Sequence, residues 1–108
     1  MAEKEIISII QKYLKRLGQS GIQARKAVVF GSFAGSKPVD EWSDIDVLII
    51  SPKFDAPFTR DDINILWRVA SDLDSRIEPI AVGEVQWLDD RQNPIIESAR
   101  RQGMAVTV

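Results

Sequence analysis

Cysteine and histidine are both absent from the 108 residues. That excludes a disulfide framework, a zinc finger and any Cys- or His-based nucleophile or base. No apolar run approaches the roughly 20 residues that a membrane-spanning helix needs. Charge of one sign is also lacking: 14 Lys plus Arg stand against 16 Asp plus Glu. So near-neutral a balance gives no basic stripe for duplex nucleic acid. Any chemistry must come from carboxylates, hydroxyls, Lys and Arg, or a bound metal.

What is present is ordinary for a globular chain, with 44% hydrophobic and 28% charged residues. The length suits one domain over residues 1–108 with one modest core. The N-terminus is charged and runs into a patterned segment, so no signal peptide is expected and a cytoplasmic location is the default.

Apolar residues at Ile6, Ile7, Ile9, Ile10, Tyr13, Leu14 and Leu17 recur at offsets of three and four. They predict a helix over 3–17, stopped at Gly18. Lys26–Phe30 reads as a short buried strand ending at Gly31, with a helical turn at 32–36 and a loop at 37–43. Asp44–Ser51 is the clearest strand, and Pro52–Pro57 a second loop. The short connection between the two strands favours an antiparallel pair. Thr59, followed by Asp61 and Asp62, opens a second helix running to about Ser75. Trp67 falls among that helix's apolar residues and is expected in the core. Ile77–Val82 is a third strand. Asn93-Pro94 opens a helix through Arg101, where Arg100 and Arg101 suit its dipole. Gly103 ends that helix, and Met104–Val108 closes as an edge strand. Trp87 lies in a segment that the pattern leaves unassigned. The fold class is therefore α/β (α+β), a small mixed sheet flanked by helices.

Three features could carry chemistry. Asp44 and Asp46 are two apart on a strand, so they project from the same face. Like charges at the mouth of an apolar strand repel and resist desolvation, and a hard divalent cation such as Mg²⁺ would relieve both. The plain alternative is two solvated acids. Gly31-Ser32 ends a buried strand where a glycine backbone can approach an anion, or it is a simple turn with Ser32 as a cap. Glu78 interrupts an apolar strand beside Pro79. It is either a third acid of a metal site and a proton acceptor, or an edge acid facing water.

Together, Phe30-Gly31-Ser32-Phe33-Ala34-Gly35 and Trp42-Ser43-Asp44-Ile45-Asp46-Val47-Leu48-Ile49 resemble the minimal nucleotidyltransferase family. These are small members of the DNA polymerase β-like nucleotidyltransferase superfamily. The likeness is strongest over 26–82 and extends through Ile77-Glu78-Pro79-Ile80 and Asn93-Pro94-Ile95-Ile96-Glu97 to Gly103. It implies the polymerase β-like fold. It also implies that Gly31, Ser32 and Ser43 contact a nucleoside triphosphate such as ATP, while Asp44, Asp46 and Glu78 hold two Mg²⁺ ions. The implied reaction moves a nucleoside monophosphate, AMP from ATP, to a hydroxyl. The implied partner is a helical HEPN-type protein, whose tyrosine an antitoxin of this kind would modify.

Two departures stand out. Gly35 takes a place where many relatives carry Arg or Lys, with Lys37 the nearest cation, and Glu78 replaces the commoner Asp. The competing reading is an interaction module that binds nucleotide or a helical partner without transfer. A homodimer through the last strand or the first helix is compatible with either. Trp42 would stack on a base or pack over the strand end.

Overall fold

The computed structural model describes residues 3–30 and 44–108. The expected turn at 32–36, the loop at 37–43 and Trp42 lie outside the described residues.

Helix α1, Glu3–Gln19, buries Ile6, Ile10, Tyr13, Leu14 and Leu17 on one face. Gly18 does not stop it. The terminator is Gly21, the only described residue that takes a positive φ, at 97°. The Gly21 N–H donates to the Gly18 carbonyl (3.3 Å) and the Ile22 N–H to the Leu17 carbonyl (2.9 Å). This is a Schellman closure, and Leu17 and Ile22 are both buried in the same apolar cluster. Gly18 retains helical pairing, so being a glycine near the end was not enough.

Strand β1, Lys26–Phe30, pairs antiparallel with β2, Ile45–Ile50. Helix α2, Arg60–Leu73, begins at a capping box in which Thr59 and Asp62 satisfy each other's backbone N–H groups. It ends two residues before the expected Ser75, because Asp74 leaves helical geometry and starts a turn. Strand β3, Ile77–Val82, then returns parallel to β2. A short helix α3, Glu84–Asp89, is followed by α4, Pro94–Gln102, and by β4, Met104–Thr107, which pairs antiparallel with β1. The strand order is β3-β2-β1-β4. Pro79 sits on edge strand β3, where its missing N–H costs no central ladder bond.

The alternation of β1 and β2 divides the core in two. Ala27, Val29, Ile45, Val47 and Ile49 belong to a large cluster with α1 and α2. Val28, Leu48 and Ile50 belong to a smaller one with Val82, Ile96 and Ala99. Within the larger cluster the buried Tyr13 hydroxyl donates to the Leu66 carbonyl (2.7 Å), tying α1 to α2. Burial pushes the Tyr13 phenol well above its ordinary range, so it remains a donor.

Trp67 is not core: it is 48% exposed. At 100° per residue it stands about a quarter turn from Leu66, on the shoulder of a face centred on Leu66, Val69 and Ala70. Helix α3 was invisible to the pattern because it buries no residue. Its N-terminus is capped from far away in sequence: the Asp55 carboxylate accepts from the N–H groups of Glu84 (2.9 Å) and Val85 (3.1 Å). A side chain at Gly83 would collide with that carboxylate, its Cβ falling 2.0 Å from Asp55 Oδ1. Its other end is held by Arg100. That guanidinium donates to the carbonyls of Trp87, Asp90 (2.5 Å) and Gln86 (3.4 Å), and pairs with Glu97. Arg100 thus complements the C-terminus of α3 as well as sitting in the last turn of its own helix.

Candidate active site

The register brings the acids together. Asp46 is the partner of Glu78 across the parallel β2–β3 pair and of Phe30 across the antiparallel β1–β2 pair. Neighbouring strands lie about 4.8 Å apart, so these three residues form one row across the sheet. The next row is Val28, Leu48 and Ile80, and the one beyond is Lys26, Ile50 and Val82. The last two rows feed the smaller apolar cluster, which fixes the acid row on the same face of the sheet. Asp46 and Glu78 are half-buried at the end of that face, and Asp44 is exposed just before β2 begins.

Because β2 and β3 are parallel, their N-terminal ends share one edge of the sheet, where β1 ends at Phe30. Glu78 registers the crowding. Its carboxyl titrates above the ordinary Glu range, first through desolvation, then through hydrogen bonding to Asp46 and the charge of Asp44. Glu78 thus responds to both aspartates. Their donors are all carboxylate oxygens, a set that suits a hard cation. Among the described residues no group of three or more His, Cys, Asp or Glu side chains is already gathered to hold a metal ion. Gly31, Ser32 and Ser43 lie outside the described residues, as do Gly35 and Lys37.

Two residues beside the acids escaped the sequence reading. Asp74 and Arg76 build the turn that hands α2 to β3. Asp74 Oδ1 accepts from the Arg76 backbone N–H (3.0 Å) and from Arg76 Nε (3.0 Å), and Asp74 Oδ2 accepts from Arg76 Nη2 (2.7 Å). The turn closes through the Ile77 N–H on the Asp74 carbonyl (3.1 Å). The Arg76 carbonyl accepts the Ile45 N–H (2.7 Å), the peptide hydrogen between the two aspartates. The Arg76 guanidinium holds the Asp74 carboxyl below its usual range. An acid two residues before an Arg, just after a helix, was the signal available for this turn.

The fold has a solved counterpart. A structure from Sulfolobus solfataricus, described as that of a candidate nucleotidyltransferase, superposes with a TM-score of 0.58 at 18% identity. The match covers 76% of this chain and 70% of that one, and at this identity it establishes the fold. No curated protein shows significant similarity to the chain. The family model of the nucleotidyltransferase domain matches residues 7–99, a span holding Asp44, Asp46 and Glu78, and the chain belongs to that family.

Proposed function

We propose that the chain is a single-domain, metal-dependent nucleotidyltransferase that moves AMP from ATP to a hydroxyl acceptor. The observation that carries this reading is the acid row. Asp46 and Glu78 stand in register on adjacent parallel strands, with Asp44 two residues upstream. Carboxylates brought this close at a partly buried strand end favour a counter-charge, and the Glu78 carboxyl is raised, first by desolvation and then by its hydrogen bond to Asp46 and the charge of Asp44.

Asp44 and Asp46 would hold two Mg²⁺ ions, with Glu78 completing the site. When bound, such ions stabilise charge on the attacking and leaving oxygens of an in-line displacement. The acceptor oxygen would form a bond to the α-phosphorus as the bond to the β-phosphate bridge breaks and pyrophosphate leaves. The acceptor's proton would pass to a carboxylate oxygen of Glu78, which stands in register with Asp46. Gly31, Ser32 and Ser43, chain neighbours of Phe30 and Asp44, would contact the triphosphate. The half-buried Phe30, beside Asp46 in the row, gives this end an apolar wall.

The acceptor would be a tyrosine of a helical HEPN-type partner, which fits the family resemblance and an antitoxin role. The test is calorimetric titration of ATP with and without Mg²⁺, on the natural chain and on Asp44→Asn/Asp46→Asn. Mg²⁺-dependent binding that vanishes in the folded double variant is the expected result. Equal binding by both chains, or binding indifferent to Mg²⁺, would sink the proposal. Incubation with the partner, ATP and Mg²⁺ should then add the mass of AMP to one protein.

A further inference from the structure

We propose that Asp74 and Arg76 are a positioning pair that sets where Asp44 stands relative to Asp46 and Glu78. The idea rests on the metal-site reading above and adds to it a device outside the acid row.

Asp44 lies before the first residue of β2, so no strand pairing of its own holds it. The peptide that joins it to the strand is fixed by one described hydrogen bond, from the Ile45 N–H to the Arg76 carbonyl. That carbonyl points where the 74–77 turn directs it. Asp74 supports the turn through both its side chain and its carbonyl, accepting from the Arg76 N–H, the Arg76 guanidinium and the Ile77 N–H. Asp74 is itself anchored, because its N–H donates to the Ala70 carbonyl (2.8 Å) at the end of α2. The side chains of Asp74 and Arg76 are 18% and 16% exposed, so the pair is shielded more than a surface ion pair is. A planar fork held at two points resists rotation in a way a single contact does not.

The path is therefore continuous. The end of α2 fixes Asp74, Asp74 fixes the Arg76 peptide, and Arg76 fixes the Asp44–Ile45 peptide. The same turn leads directly into Ile77-Glu78. One small unit thus sets the height of two acids, Asp44 just ahead of β2 and Glu78 within β3. Outer groups that orient metal ligands change metal affinity by about 10- to 100-fold when removed.

Two measurements on the full chain test this, using Asp74→Ala, with Asp74→Asn as the variant that retains an acceptor oxygen for the turn. The first is amide hydrogen exchange by NMR. Asp74→Ala should speed exchange at Ile45 at least tenfold while Leu48, in the middle of β2, stays unchanged, and Asp74→Asn should fall between. The second is titration with Mn²⁺ alone, where Asp74→Ala should weaken binding by about 10- to 100-fold in the folded protein. Unchanged exchange at Ile45 would overturn the proposal, as would Ile45 and Leu48 loosening together or equal Mn²⁺ affinity in a natural chain that binds. If the natural chain binds no Mn²⁺, the metal reading fails, and Ile45 exchange alone still decides whether the pair positions Asp44.

Discussion

On the sheet face covered by α1 and α2, Ala27, Val29, Ile45, Val47 and Ile49 meet Ile10, Leu14, Leu66 and Ala70, all of them buried. On the opposite face the apolar cluster is smaller, and α3 contributes no buried residue to it. There Asp55 and Arg100 hold α3 by its two ends with hydrogen bonds. The same strands thus serve two needs. One face is dry and close-packed, and it carries most of the stability. The other is only partly covered and ends in the half-buried Asp46 and Glu78, which a fully packed face could not keep charged.

The largest effects should come from exchanging damage between these faces. Ile10→Ala should cost about 2–5 kcal/mol in chemical denaturation, because it opens a cavity in the close-packed face. In a domain whose total stability is about 5–15 kcal/mol, that is a large share. Asp46→Asn should do the reverse. It should reduce nucleotidyl transfer at least ~100-fold, yet leave the thermal midpoint equal or higher, since it removes one of the charges facing Glu78. A fall in midpoint comparable to that of Ile10→Ala would erase the contrast.

A smaller effect belongs to the clamps. Arg100→Met should cost about 1–3 kcal/mol by leaving carbonyls at the end of α3 without their donor. The loss should appear as faster amide exchange in α3, with α1 and α2 unaffected, and Arg100→Lys should recover only part of it. Acid should reach the turn beside the acid row before the apolar face. Asp74 titrates lower in the folded chain than in the unfolded one, so its contribution is present above its unfolded value of about 3.9. It is lost as pH falls through its lower folded value. Thermal midpoints from pH 6 to pH 2.5 should therefore fall less steeply in Asp74→Asn. The smallest effect is expected at Trp67→Gln, within about 0.5 kcal/mol by denaturation, because the indole stands on the shoulder of α2. A core-sized loss there would place the boundary of the packed face wrongly.

Elements with a local cause were legible. The 3.6-residue stripe of α1, the apolar runs of β1 and β3, the Thr59 capping box and Asn93-Pro94 each carry their reason within a few residues. Asp44, Asp46 and Glu78 were legible as candidates because charges in apolar strands need a reason. The errors share a different origin. Gly18 and Gly21 are both glycines near a helix end, and the choice between them depended on which partner Ile22 could reach. Trp67 shares the helical spacing of the core residues, but its exposure was set by where α1 lies against α2. Helix α3 could not be read because its cap is Asp55 and its C-terminal donor is Arg100, both distant in sequence.

By itself, then, the sequence determined the chemistry available: no thiol, no imidazole, three acids in or beside apolar strands, and the elements that local capping and periodicity dictate. Only the tertiary structure decided that Glu78 stands beside Asp46. Strand pairing is a long-range register, and a slip by one residue would turn Glu78 to the opposite face. The apolar rows behind the acids, Leu48 with Ile80 and Ile50 with Val82, match that register on the smaller cluster's face.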